Sequence, residues 1–136
     1  MKIMHIGVYD RNIGDNIAIQ NLQRSLSMYI PDVHIIGLDL QTIWKSNNSP
    51  THMRALYNDF VKKDIDMIVV GGGGLLEYGG YENFHSKWKL PFWEETLKFI
   101  KIPIVFYGVG VNIFRGGIDY SEQAKKALQD TINHSK

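Results

Sequence analysis

The chain has 136 residues, of which 44% are apolar and 21% charged, and its net charge is +1. This length and apolar content are typical of one globular domain with a single core and exclude a disordered chain. The balanced charge argues against a nucleic-acid surface, and the absence of cysteine excludes disulfides and thiol nucleophiles. No apolar run approaches the ~18 residues of a membrane span, and no signal-peptide pattern begins the chain. We therefore expect a cytoplasmic protein.

The first third of the chain predicts a strand, a helix and a second strand. Residues 2–8, from Lys2 to Val8, are mostly apolar and are predicted as the first strand. Residues 16–30 carry apolar residues at helical spacing, with Asp15 placed as N-cap and Pro31 as the stop. The second strand is predicted at residues 33–38. This alternation is typical of the opening of a βαβ unit.

The middle of the chain predicts a loop, a second helix and a buried strand. Residues 39–50 have loop composition, and Ser49 followed by Pro50 is a favourable helix start. Residues 65–70 contain consecutive apolar, largely β-branched residues. Such a run predicts a third strand that is covered on both faces.

The last third begins with the segment that is hardest to interpret. Residues 77–90 mix aromatic residues with glycines and polar residues, which indicates either a long functional loop or a loop whose aromatic rings close the edge of the core. Pro91 is placed to start a helix, and residues 102–107 predict a fourth strand. Asp119 and Glu122 have the spacing of a capping box and predict the start of the last helix.

Strands alternating with helices four times predict a single α/β domain over residues 1–136, built as a three-layer α/β/α parallel sheet. Right-handed crossovers leave few topologies, and we expect the strand order 2-1-3-4. The direction of winding then changes between the first and third strands. Ligands bind at such a switch point, outside the carboxyl ends of the strands.

A run of four glycines follows the third strand. Glycine allows positive φ angles and close approach to the main chain, so the run predicts a ligand-facing loop. If Leu75 begins a helix, its free N–H groups would favour an anion. The alternative is a tight turn with no ligand. The run matches neither a P-loop nor a dinucleotide fingerprint.

Three loops are expected to meet at the switch point, namely residues 12–15, residues 71–74 and residues 108–110. With their flanking residues they carry N–H donors, an amide, carboxylates and guanidinium groups. This set suits a phosphorylated or nucleotide-like ligand, with Arg11 or Arg115 pairing with phosphate. Each residue also has a purely structural interpretation: Asp15 as a helix cap, Asn12 as a partner of its own loop backbone, and both arginines as solvated surface side chains. The candidate ligand-binding residues are Arg11, Asn12, Gly14, Asp15, Gly71, Gly72, Gly73, Gly74, Gly108, Gly110 and Asn112.

Candidates for proton transfer are few. Asp15 and Glu77 offer carboxylates near the expected crevice, and His85 lies in the aromatic segment. His5 alternates with apolar neighbours and is interpreted as structural. No histidine pair has metal-ligand spacing, so we expect no metal, and no sequence feature indicates a cofactor. A serine-hydrolase elbow is absent from the sequence.

Three segments, in this order, resemble the N-terminal half of the polysaccharide pyruvyl transferase family. Residues 7–19, with Asn12-Ile13-Gly14-Asp15 before a helix, are similar to the family's opening Asn-x-Gly-Asp. Residues 66–76 are similar to its central glycine motif, and residues 103–110 to the strand that follows. The resemblance covers nearly the whole chain.

The resemblance implies a transferase that moves a pyruvyl group from phosphoenolpyruvate to a sugar, forming a ketal during exopolysaccharide biosynthesis. It also implies a two-domain, GT-B-type fold with the active site between two Rossmann-like halves. Basic residues that grip the donor belong largely to the second half. We therefore expect this chain to supply one half of the site and to pair with a second half-domain or a second copy.

Two other functions remain open from the residues alone. One is a non-catalytic module that binds a nucleotide, a nucleotide-sugar or phosphate. The other is an interaction protein with a large exposed apolar patch, for which Trp44, Trp88 and Trp93 are the candidates.

Overall fold

The computed structural model describes residues 1–9, 12–46, 48–77, 83–84, 86–112 and 119–135, with the main chain alone at positions 77 and 112. Strands and helices alternate, apart from one extra short helix. The elements are β1 (Lys2–Gly7), α1 (Ile13–Tyr29), β2 (His34–Asp39), α2 (Leu40–Trp44), α3 (Pro50–Lys62), β3 (Met67–Glu77), α4 (Glu94–Leu97), β4 (Ile104–Asn112) and α5 (Glu122–His134).

The four strands form one parallel sheet in the order β2-β1-β3-β4, which confirms the predicted order. Met4 of β1 pairs with Ile36 of β2 on one side and with Ile68 of β3 on the other. Val69 of β3 pairs with Val105 of β4. The winding direction therefore changes between β1 and β3, at the predicted switch point.

Helices cover both faces of the sheet, as predicted, but unequally. Successive strand residues point to opposite faces, so Ile3 belongs to a small cluster with Leu22 of α1, whereas Met4 belongs to the larger core. That larger core takes side chains from α2, α3, α4 and α5. Burying each large apolar side chain contributes about 1.5–3 kcal/mol, so most of the stabilisation comes from the face opposite α1.

Two predicted helix starts are displaced, and one is confirmed. The N-cap of α1 is Asn12 rather than Asp15, because Asn12 is extended and its side chain accepts from the N–H of the third helical residue. The N-cap of α5 is Ser121 rather than Asp119, and its hydroxyl accepts from a helical N–H in the same way. Ser49 caps α3 as predicted.

The segment predicted as a loop at residues 39–50 contains the short helix α2. Asp39 caps it by accepting from the N–H of Gln41, and Leu40 and Ile43 are fully buried. The helix predicted from Pro91 shortens to the four residues of α4.

The tryptophans do not form an exposed patch, so that prediction is wrong. Trp88 is fully buried and Trp93 nearly so. The indole N–H of Trp88 donates to the carbonyl of Phe92 at 2.6 Å, and that of Trp44 donates to the carbonyl of Lys89 at 2.9 Å. Burial of the rings with satisfied N–H groups makes them part of the core and its border.

The described helices are too short or too polar to cross a bilayer. The longest described helix, α1, has 17 residues. In the part of the chain that the structure describes, no helix has the length and apolar character needed to span a bilayer.

Candidate functional site

The four glycines lie within a strand rather than in a loop. β3 continues through them to Glu77, and Leu75, which was considered as a helix start, is a strand residue with 1% of its surface exposed. Pairing of β1 with β3 is last seen at Ile6 and Val70, whereas β4 stays paired with β3 beyond that point. The glycine segment therefore extends beyond the paired part of β1, at the switch point of the sheet.

Contacts within the protein explain two of these glycines. A Cβ atom on Gly71 would overlap the carbonyl oxygen of Tyr107 on β4. A Cβ atom on Gly72, which has φ of +83°, would lie 2.8 Å from the Cγ1 atom of Ile19 on α1. The absence of side chains lets β4 and α1 approach β3 closely at this level of the sheet.

Gly73 brings the first and second sequence motifs together. Its φ is +136°, and a Cβ atom there would overlap the carboxylate of Asp15. Asp15 Oδ2 accepts from Asn12 Nδ2 at 2.6 Å, and the N–H of Asp15 donates to Asn12 Oδ1 at 2.8 Å. The positive N-terminal end of α1 also favours this carboxylate. Asp15 is thus held against the glycine segment, where it can accept a proton or hydrogen bonds from hydroxyl groups.

The other candidate glycines have different surroundings. A Cβ atom on Gly14 would lie 3.2 Å from the side-chain oxygen of Asn12. Gly108 has φ of +59°, and a Cβ atom there would meet no atom of the described residues within 4 Å. Gly110 lies beside Gly73, with 3.6 Å between the carbonyl oxygen of Gly73 and a Cβ atom placed on Gly110. The structure therefore brings part of all three predicted segments to one place.

His5 lies fully buried next to the glycine segment. Its Nε2 is 3.2 Å from the carbonyl oxygen of Gly71, and its Nδ1 is 2.6 Å from the hydroxyl of Tyr9. A carbonyl only accepts, so Nε2 carries the hydrogen and Tyr9 donates to Nδ1 when the ring is neutral. Burial lowers the pKa of the His5 imidazole, and the bond to Gly71 opposes this lowering. His5 is therefore neutral at pH 7.

Tyr9 completes this group from the other side. A Cβ atom on Gly37 of β2 would lie 2.7 Å from the Tyr9 hydroxyl oxygen, so glycine makes room for the phenol. Burial, together with the negative charge of Asp39, raises the pKa of Tyr9 to about 12. Its hydroxyl stays protonated in the physiological range and remains a donor to His5.

A residue that sequence analysis missed is Lys89. Only 9% of the surface of Lys89 is exposed, and its Nζ donates to the carbonyl of Gly74 at 3.4 Å. The ammonium lies 5.4 Å from the centre of the Trp44 ring, a cation–π contact. The detectable signal was a lysine within an otherwise apolar and aromatic run. Lys89 brings a positive charge to the glycine segment from the side of the larger core.

Several predicted residues cannot be placed in this site. Arg11, His85 and Arg115 lie outside the described residues. Glu77 pairs with Asn112 where β3 and β4 end, and only their main chains are described. Within the described ranges, no three His, Asp or Glu side chains form a group that could hold a metal ion. Asp15 is the catalytic candidate whose side-chain position is known.

The family model of polysaccharide pyruvyl transferase matches residues 12–136. The chain belongs to the polysaccharide pyruvyl transferase family. The family match begins at Asn12, the N-cap of α1, and includes Asp15, the glycine segment and Lys89. His5 and Tyr9 lie just before it.

Comparison with curated proteins finds no match. Among solved structures, the chain is similar to one titled "Solution structure of a phosphate-loop protein", with a TM-score of 0.40 and 12% identity over 100% of this chain and 97% of that chain.

Proposed function

We propose that this chain supplies the acceptor side of a pyruvyl transferase site, in which phosphoenolpyruvate gives its pyruvyl group to a sugar of a surface polysaccharide. The observation that carries the proposal is the Asp15 carboxylate held between Asn12 and Gly73 at the switch point. Membership of the family supports the reaction type.

The chemistry of ketal formation defines what the site must do. Two sugar hydroxyl oxygens bond to C2 of phosphoenolpyruvate, and C3 gains a proton. The bond between C2 and the phosphate oxygen breaks, and phosphate leaves. Both hydroxyl protons must be removed as these bonds form. A base beside the sugar and cations beside the phosphate are therefore needed. In this proposal Asp15 is the base for a hydroxyl, and the Asn12 amide orients the carboxylate.

The charges of the described residues favour the sugar rather than phosphoenolpyruvate beside Asp15. A carboxylate and an amide accept and donate hydrogen bonds to hydroxyl groups, whereas a carboxylate repels an anionic donor. The side-chain cation placed against the glycine segment is Lys89, on the side of the larger core. We expect phosphoenolpyruvate to contact Lys89, Arg11 or a second half of the enzyme.

Asp15 and Lys89 alone do not surround a donor and an acceptor, so a second half-domain or a second copy of the chain would complete the site. In this proposal the protein acts in the cytoplasm during exopolysaccharide biosynthesis.

The test measures phosphate release and ketal formation from phosphoenolpyruvate with a panel of oligosaccharides. Asp15→Asn keeps the size of the side chain and removes the base, so turnover should fall by about a hundredfold with an unchanged melting temperature. Asp59→Asn, on the exposed side of α3, is the matched control because its carboxylate contacts only Lys63 among the ion pairs described.

Equal turnover in Asp15→Asn and the wild type would exclude Asp15 as the base. The rival function, a nucleotide-sugar module, predicts a different result. Stabilisation by nucleotide-sugars, without any product from phosphoenolpyruvate and saccharides, would support that rival.

A further inference from the structure

The hydroxyl of Tyr9 lies near two acceptors, which allows His5 to exist in two proton arrangements. Its oxygen is 2.6 Å from Nδ1 of His5 and 3.4 Å from the carbonyl oxygen of His5. With a neutral ring, Tyr9 donates to Nδ1. With a protonated ring, Nδ1–H donates to Tyr9, whose hydrogen turns to the carbonyl. In both arrangements Nε2–H continues to donate to Gly71.

The glycine segment needs such an external contact because its own conformational preferences are weak. Gly72 and Gly73 have φ of +83° and +136°. Glycine adopts positive and negative φ about equally, so these residues do not fix their own conformation. On the side of β1, a Cβ atom on Gly7 would lie 3.0 Å from the carbonyl oxygen of Gly71. The absence of a side chain at Gly7 therefore leaves that carbonyl accessible to His5.

We propose that His5 is a positioning residue, which fixes the carbonyl of Gly71 and, through the two following peptides, the place of Gly73 against Asp15. The orientation of the Gly71–Gly72 peptide sets where the chain continues. On the opposite side, Gly71 directly abuts the main chain of Tyr107, so the strand has little room for sideways displacement. His5 thus acts on the candidate base through main-chain geometry.

The protonation state of His5 is expected to affect the glycine segment, residues 71–74. A protonated Nε2–H donor makes a stronger, charge-assisted bond to the Gly71 carbonyl than a neutral one. Among the described residues, Asp39 on β2 acts electrostatically on Tyr9, and Asp15 on α1 lies over Gly73. β3 contributes no titratable side chain between Met67 and Leu76. Amide signals from Gly71 to Gly74 should therefore titrate together with the His5 ring.

The inference rests on the proposed function only in treating the Asp15–Gly73 contact as the site, and its structural test needs no substrate. Nitrogen-15 NMR of the full chain follows the His5 ring and the Gly71–Gly74 amides from pH 7.5 downwards. We expect a neutral ring with hydrogen on Nε2, and glycine amides that follow its titration.

Two variants and a control complete the test. His5→Gln places an amide donor toward Gly71 but cannot titrate, so the glycine signals should stay close to their neutral positions and lose their pH response. His5→Leu removes the donor, and the Gly73 and Asp15 amides should shift. His34→Gln, at the exposed start of β2, should leave all of them unchanged.

Unchanged Gly73 and Asp15 signals in His5→Leu, or a ring with hydrogen on Nδ1, would overturn the proposal. If His5→Leu does not fold, the pH response of His5→Gln decides, since its persistence there would also overturn it. In a chain that catalyses transfer, turnover of His5→Leu should fall about tenfold to a hundredfold, as expected for a displaced catalytic group, and His5→Gln should restore most of it. Absence of turnover in the wild type, assayed together with the half that completes the site, contradicts the proposed function and leaves the NMR result intact.

Discussion

The two faces of the sheet differ in the size of the apolar core that covers them. On one face, α2, α3, α4 and α5 bury a large core that includes Trp88 and Phe92. On the other, α1 is the one helix among the described elements, and it covers a small apolar cluster. Toward the carboxyl ends of the strands, this face carries the candidate site, with glycines beneath polar groups such as Asp15. The difference indicates that stability depends mainly on the first face and site geometry on the second.

The largest expected effect tests the stabilising role of the larger core. Trp88→Ala removes a fully buried ring and its hydrogen bond to Phe92, so the free energy of unfolding should fall by about 3–5 kcal/mol. Urea unfolding measures this loss. Met28→Ala, on the exposed side of α1, is the control and should change stability little. A loss of less than about 1 kcal/mol in Trp88→Ala would contradict the assignment.

A second prediction compares two glycines with positive φ. Gly73→Ala forces an L-residue into φ of +136° and pushes against Asp15, whereas Gly108→Ala at +59° meets open space. We expect Gly73→Ala to cost about 1–3 kcal/mol and to abolish saccharide-dependent turnover. Gly108→Ala should cost about 1 kcal/mol and retain turnover. Thermal unfolding measures the stability of the two variants, and the transfer assay measures their turnover. Equal losses in the two variants would show that the contact of Gly73 with Asp15 is not the cause.

A smaller effect concerns the hydroxyl beside His5. Tyr9→Phe leaves the buried Nδ1 acceptor without its donor, so the protein should lose about 1 kcal/mol of stability. The loss should be absent when His5 is already Leu, because the acceptor is then gone. A double-mutant cycle by urea unfolding measures this coupling, and additive losses would show that the hydrogen bond contributes nothing.

The smallest expected effect is a dependence of stability on pH. Burial lowers the pKa of folded His5 below that of the unfolded chain, about 6.5. Below that pH the unfolded state binds more protons than the folded state, so stability should fall as the pH drops from about 6.5 toward the lowered folded value. Unfolding curves for wild type and His5→Gln should diverge in this range. Parallel curves would place the His5 pKa at its ordinary value.

The sequence was sufficient for the sheet topology because the buried strands are apolar and the intervening helices carry clear stop signals. Order 2-1-3-4 followed from right-handed crossovers applied to this alternation, and the cap at Ser49 followed from the Ser-Pro pair. Helix starts at Asp15 and Asp119 were misplaced because several residues near each start could cap, and only the local main-chain geometry selects Asn12 and Ser121.

The glycine segment could not be interpreted correctly from local sequence, because glycine is disfavoured in strands in general. Its strand conformation depends on neighbours from β4 and α1, which are distant in sequence. Lys89 was missed for the same reason, since its contact with Gly74 joins two segments that are distant in sequence. His5 was recognised as buried, but its bond to Gly71 was not visible in a pattern of alternation.

Gly71, Gly72 and Gly73 differ in what would obstruct a side chain at each position. At Gly72 and Gly73 the obstruction is a side chain, of Ile19 and Asp15, so a compensating substitution could open space, although the positive φ would still oppose the change. At Gly71 the obstruction is the main-chain oxygen of Tyr107, which every amino acid carries. No second-site substitution on β4 can remove it. Gly71 is therefore the position where epistatic rescue should fail, and a library that randomises residues 71 and 107 together should return glycine at 71 with many different residues at 107.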